Sequence, residues 1–316
     1  MDTEALPFVD EEIREKARKA VAEGRLLDLK NDIVFKSFFS KETPEGVYCR
    51  TRMLSSIIGQ EVKKATVLNP DILPDFVLGK FPRLDIHCIL DDGSEIDVEM
   101  QGTKQHDDQI ARSVFYAVSL AKNSVKKGMS YMQMPRVHQI MFMDFTAIED
   151  DEFYHSYSLR DDKTFKLLSN LLQIHFIELP KLKMNKSVSE LEFWAMMVKS
   201  GGNETTLKEL GKIDKLKEDY TMARALLNTI SNSQQEWERK FAYESAEMDR
   251  ISAIDYAMRQ GIAQGVAQGI AQGTHETAIN NAMNFLQMGL SVEQVAKGTN
   301  LPLSEVNKLQ LSFTHN

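Results

Sequence analysis

Residues 83–101, Arg-Leu-Asp-Ile-His-Cys-Ile-Leu-Asp-Asp-Gly-Ser-Glu-Ile-Asp-Val-Glu-Met-Gln, constrain this chain more than any other stretch. They read as two strands joined by a tight turn at Asp92-Gly93. In the second strand Glu95, Asp97, Glu99 and Gln101 alternate with Ile96, Val98 and Met100. Side chains alternate faces along a strand, so the four polar groups share one face. In the first strand Asp85 falls within the apolar run Leu84 to Leu90. Carboxylates are depleted in strands and costly to bury unpaired. A hairpin that points several acids one way either holds a cation or presents a solvated face. Asp97 reads as solvated or as a supporting group. His87, on the face of Asp85, reads as structural.

Composition bounds the classes to which the chain can belong. The 316 residues, 42% apolar and 27% charged, suit one large globular domain or two modest ones. Two cysteines cannot build a disulfide framework, which suits a reducing compartment. Met1-Asp2-Thr3-Glu4 has neither the basic nor the apolar region of a signal peptide. No run approaches the ~18 apolar residues a membrane helix needs. The expected place is the cytoplasm, with no membrane partner. A net charge of −8 argues against tight electrostatic binding to bulk nucleic acid. The average hides a pattern, however. Residues 101–145 carry six basic residues (Lys104, Arg112, Lys122, Lys126, Lys127, Arg136) against three acids, so a basic segment follows the acidic hairpin directly. It reads either as a phosphate-holding surface or as a solvated helix.

Elements follow from period and punctuation. Residues 10–24 form a charged helix stopped at Gly24. Asn31 or Asp32 caps a helix holding Val34, Phe35, Phe38 and Phe39. A further helix runs from Val47 to Ile58. Lys64 to Leu68 is a short strand, and 69–82 a Pro-broken loop. Asp107 to Lys127 is helical, with Ile110, Val114, Ala117, Val118 and Ala121 as its packing stripe. Strands are expected at Val137–Phe145, Phe153–Leu159 and Leu172–Leu179. From about Ser187 to Arg259 the pattern is almost wholly helical, anchored by Trp194 and Trp237. Residues 261–273 repeat Gly-x-Ala-Gln, which places Gly261, Gly265, Gly269 and Gly273 on one helix stripe. That segment is either a flexible linker or an oligomer seam. Near the C-terminus, Ser291 with Gln294 makes a capping box and Ser304 caps a last helix. The pair has helix-turn-helix spacing but a basic contact only at Lys308, so a plain helical unit is the preferred reading.

Two carboxylates about 4 Å apart repel by ~4 kcal/mol at an effective dielectric of about 20, and a divalent cation removes that penalty. Oxygen ligands favour Mg²⁺ or Mn²⁺ over zinc. Asp85 and Glu99, on neighbouring strands, could converge on such an ion, with Gln101 orienting a water or a phosphate oxygen.

Leu84-Asp85, a hairpin turn and Glu99-Met100-Gln101 resemble the Asp…Glu-x-Lys motif of the PD-(D/E)XK nuclease superfamily, with Gln in the Lys place. That variant is similar to the transposase-like branch, the recombination-promoting nuclease (Rpn) family. Asn31-Asp32-Ile33-Val34-Phe35-Lys36 resembles that family's N-terminal helix motif. Arg112-Ser-Val-Phe-Tyr116, Gly128-Met-Ser-Tyr131, the strand Val137–Phe145 and His175-Phe-Ile-Glu-Leu179 resemble its later blocks. Met288 to Ala296 resembles its tail.

The resemblance implies an α/β fold: a PD-(D/E)XK nuclease-like core, a mixed sheet flanked by helices, followed by a mostly α-helical C-terminal region. The expected divisions are 25–186 for the nuclease-like domain, 187–260 for a helical region, 261–275 for the Gly repeat and 276–316 for a small helical unit. It implies a Mg²⁺- or Mn²⁺-dependent DNA endonuclease linked to recombination, with Asp85 and Glu99 as metal ligands and Gln101 replacing the catalytic lysine. Asp32 would be a further acid of the site, with Lys36 one turn on. Because Gln carries no charge, Lys36 or Lys104 would supply it from elsewhere. Lys104, Arg112 and Tyr116 are the expected substrate contacts. The alternative is a catalytically degenerate copy that binds DNA or protein, or that oligomerises through its C-terminal helices.

Overall fold

The alternating hairpin folds as expected and lies inside a six-stranded sheet. The structure, a computed structural model, describes residues 9–68, 86–102, 109–184 and 187–313. The sheet comprises β1 (Ala65–Val67), β2 (Ile86–Leu90), β3 (Glu95–Gln101), β4 (Val137–Met143), β5 (Tyr154–Arg160) and β6 (Leu167–Glu178), in the order β1-β2-β3-β4-β6-β5. Gly93, at φ +83°, makes the turn between β2 and β3. The pairs β1–β2, β2–β3 and β5–β6 are antiparallel, whereas β3–β4 and β4–β6 are parallel. A parallel pair needs a crossover, and helix α4 (Gln109–Ser124) lies between β3 and β4 in the chain.

Register divides the sheet into two unlike faces. Val98, Met100, Ile140, Phe142 and Ile177 join the main core. That core is closed by Phe35, Phe38 and Phe39 of α2 (Asp32–Ser40) and by Met53 and Leu54 of α3 (Pro44–Ile58). Asn31 caps α2 through its side chain, and α1 (Glu11–Ala22) buries Ala17 and Ala20 in the same core. The opposite face carries Asp97, Glu99 and Gln101, then Met141, Met143, Ile174 and Phe176, and packs against Ala117 of α4.

Helix α4 departs from the expected stripe. Ala117 and Ala121 are buried, but with Gln109, Ser113, Leu120 and Ser124, while Ile110, Val114 and Val118 face solvent. The helix covers a sheet face holding buried polar groups, where small and polar residues allow a close approach that branched apolar ones would block. Strand β6 begins at Leu167, five residues before the expected start at Leu172. Its first half pairs with β5 as an exposed ribbon and has no burial alternation to read.

The helices after residue 187 contribute to the main core. They are α5 (Glu190–Lys199), α6 (Glu204–Leu210), α7 (Lys217–Ser231) and the start of α8 (Gln234–Gln287). Trp194 and Trp237 are fully buried there, as expected of packing anchors. Two free cysteines, Cys49 and Cys88, are also buried in it.

The chain forms two compact units, divided between Glu244 and Ser245. In the second, Ala282, Val295, Leu301 and Val306 make a small core with α9 (Val292–Thr299) and α10 (Leu303–Phe313). The Ser291–Gln294 capping box is present. Ser304 is not a cap, because α10 starts one residue earlier and the carbonyl of Pro302 accepts from the amides of Glu305 and Val306. The Gly repeat is helical, within α8, and exposed.

A chain of hydrogen bonds crosses the core face. Tyr154 Oη donates to the carbonyl of Ile57 at 2.8 Å, so it accepts from His175 Nδ1 at 3.0 Å. His175 Nε2 then accepts from His138 Nδ1 at 3.2 Å. Both rings are neutral in this arrangement, His138 donating and His175 both donating and accepting. Burial, reinforced by Arg136, lowers His138 to about 4, and burial, reinforced by His138, lowers His175 to about 3.

Candidate active site

Strand β3 sets the site. Its alternation sends Asp97, Glu99 and Gln101 to one face, and the cover of α4 removes all three from solvent: Asp97 and Glu99 are 0% exposed and Gln101 is 7% exposed. Of the two readings that the sequence leaves for Asp97, solvated or supporting, its burial removes the first. It lies in register with Gln139 of β4, whose buried amide has no hydrogen-bond partner among the described residues.

Glu99 is the centre of the constellation. Gln101 Nε2 donates to its Oε2 at 3.3 Å, and Arg112 Nη2 reaches the same oxygen at 3.4 Å. A buried carboxylate requires such compensation. The Arg112 guanidinium also lies 5.0 Å over the Tyr116 ring, so one turn of α4 ties an aromatic surface to the acid. Arg112 and Tyr116, expected as a pair on one helix face, are indeed a pair and are linked to Glu99.

Asp85 and Lys104 lie outside the described residues. Asp32, in the first turn of α2, accepts a hydrogen bond from Tyr243 Oη of α8. Lys36, one turn on, is half-buried.

Sequence reasoning missed a second group at the end of β3. The amide of Asp144 donates to the carbonyl of Gln101 at 3.0 Å, and Lys30 Nζ donates to Asp144 Oδ2 at 2.9 Å. The hydrogen bond to Asp144 holds the Lys30 ammonium above its usual range. The backbone of Lys30 lies against Gly102, where an added Cβ would meet its carbonyl oxygen at 3.3 Å. A cation thus stands just past Gln101, at the carboxyl end of two parallel strands.

The donor set answers whether a divalent ion suits the site. Glu99, Asp97 and Gln101 offer oxygens on one buried face, and among them there is neither sulfur nor imidazole. That chemistry fits a hard cation such as Mg²⁺ or Mn²⁺.

A second cluster, unforeseen from spacing, joins Asp150, His155 and Glu178, whose ligand atoms lie within 4.8 Å of one another. Lys181 Nζ already sits in it, 2.9 Å from Asp150 Oδ1 and 2.7 Å from Glu178 Oε2. Burial pulls that ammonium down, but its bonds to Glu178 and Asp150 outweigh burial and hold it above its ordinary value. Glu178 also accepts from the amides of Ala147 and Ile148 at 2.6 and 3.2 Å. The carboxylates here are satisfied by a lysine and by backbone, which makes the cluster a tie between β5, β6 and the loop after β4.

Comparison with known proteins finds one matching family. The family model described as PD-(D/E)XK nuclease family transposase matches residues 29–257, a span that contains β3, α4 and Lys30. No curated protein and no solved structure matches the chain.

Proposed function

Because the chain belongs to the PD-(D/E)XK nuclease transposase family, we propose that it is a metal-dependent DNA endonuclease of the recombination-promoting kind, acting in the cytoplasm. Family membership supports a nuclease-like function; the finer reading rests on Glu99. This carboxylate is fully buried, lies within reach of an amide and a guanidinium, and sits on the strand whose sequence carries the family's Glu-x-Gln variant.

In this reading Asp85 and Glu99 hold a Mg²⁺ or Mn²⁺ ion. Ile86, the next residue after Asp85, pairs with Val98, the residue before Glu99, which supports placing both acids in one site. The ion, when bound, supplies Lewis-acid stabilisation of phosphoryl charge and a water of lowered pKa. The Gln101 amide orients the attacking water. Arg112 serves the role that the missing lysine would have, with Lys30, Lys36 and Lys104 as further cations for phosphate oxygens. Asp32, held by Tyr243, supports the acids from α2. The exposed Gly stripe of α8 is read as a seam between copies of the chain.

The deciding experiment is plasmid nicking across metals. Wild type should cut with Mg²⁺ or Mn²⁺ and not with EDTA, and Glu99→Ala should abolish cutting; cutting that survives this change would refute the assignment. Calorimetry with Mn²⁺ should show a site that Glu99→Ala removes. Metal binding without any cutting would favour the degenerate, DNA-binding alternative. If charge at position 101 is what the site lacks, Gln101→Lys will hold or raise the rate, whereas a large loss would assign the work to the amide.

A further inference from the structure

Phe115 extends the line of contacts that begins at Glu99. Arg112 reaches Glu99 at 3.4 Å and lies 5.0 Å over Tyr116, and the Tyr116 and Phe115 rings are 6.3 Å apart. Phe115 is 54% exposed, and Val114 and Val118 on the same helix are exposed as well. Single apolar residues on a surface are ordinary, but a contiguous stripe marks a contact surface.

Charge indicates what the stripe contacts. No Asp or Glu occurs between Gln109 and Met143, in a chain whose net charge is −8. The same segment carries Arg112, Lys122, Lys126, Lys127 and Arg136, of which the three lysines are exposed. A polyanion with flat apolar faces matches both properties, phosphates to the basic groups and rings to the aromatic step. A second copy of this acidic chain would match the apolar residues alone.

We propose, resting on the nuclease reading above, that the substrate class is DNA carrying unpaired nucleotides, with a base beside the cleaved phosphate stacked on Phe115 and Tyr116. In an intact duplex each base is covered on both faces by its neighbours, so it is at a strand end, a bulge or a single strand that the ring of Phe115 stacks without first separating a base step. Intact duplex reaches the basic groups but leaves the aromatic step bare.

The test compares wild type, Phe115→Ala and Phe115→Trp as full chains. Fluorescence anisotropy in EDTA measures binding to a short single strand, the same sequence as a duplex, and a bulged duplex; nicking of intact plasmid is measured in parallel. Wild type should bind the single strand and the bulged duplex more tightly than the intact duplex. Phe115→Ala should lose about tenfold on the first two and leave intact-duplex binding unchanged, and Phe115→Trp should restore the preference. Equal losses on all three DNAs, or none, overturn the proposal and leave the nuclease reading standing if wild type still nicks. A wild type that neither binds nor nicks overturns both. A Phe115→Ala variant that instead changes the mass by light scattering, with unaltered DNA binding, assigns the face to a second copy and also overturns it.

Discussion

Arg112 brings a positive charge to the buried Glu99. Replacing it leaves a fully buried carboxylate with less compensation, so Arg112→Gln should lower stability by about 2 kcal/mol, read as a fall in urea midpoint at unchanged slope. Period-two alternation made Glu99 and Gln101 legible, and helical spacing made Arg112 and Tyr116 legible, because each pattern is local. Lys30 pairs with Asp144 across 114 positions and Asp32 with Tyr243 across 211, and no local pattern carries such partners. Burial of Asp97 was illegible for a related reason. Alternating acids look the same whether a helix covers them or water does, and α4 decides which.

At the scale of elements, two glycine classes give opposite expectations. A Cβ at Gly46, in the first turn of α3, would lie 2.2 Å from the backbone oxygen of Lys41, so Gly46→Ala should destabilise by about 2 kcal/mol or more. At Gly265 and Gly269 an added Cβ meets nothing within 4 Å. The paired change to Ala should therefore raise helix stability by about 1 kcal/mol per site, visible in thermal melts by circular dichroism. If that stripe is a seam between copies, the same pair will also weaken self-association in light scattering. The helix ends at Gly24, Asn31 and Ser291 were legible in sequence, since these residues act through their own side chains or their φ, whereas the expected cap at Ser304 was not one. The inward face of α4 was not, since a helix over buried polar groups selects small residues in place of the branched ones that a simple apolar period points to.

For the whole molecule, pH and salt are the informative variables. His138 and His175 are lowered to about 4 and about 3, so between about pH 6.5 and these values the unfolded chain binds more protons than the folded one. Stability should be full at neutral pH and fall as pH drops through that window. His138→Leu, which removes one titrating group and one hydrogen bond, should lower stability at pH 7 by about 1 kcal/mol and flatten the decline. Five basic side chains between Gln109 and Met143 limit the counterions this segment can release, so it should add no more than about 4.5 to the steepness of log K against log salt. None of the described helices is long and apolar enough to cross a membrane, α8 included. Both native cysteines are sealed in the main core; burial pushes the Cys88 thiol up to about 12 and Cys49 further in the same direction. A maleimide dye will therefore ignore the folded chain, and a single cysteine introduced at Met132, 96% exposed, becomes a clean spectroscopic reporter with no native residue to remove first.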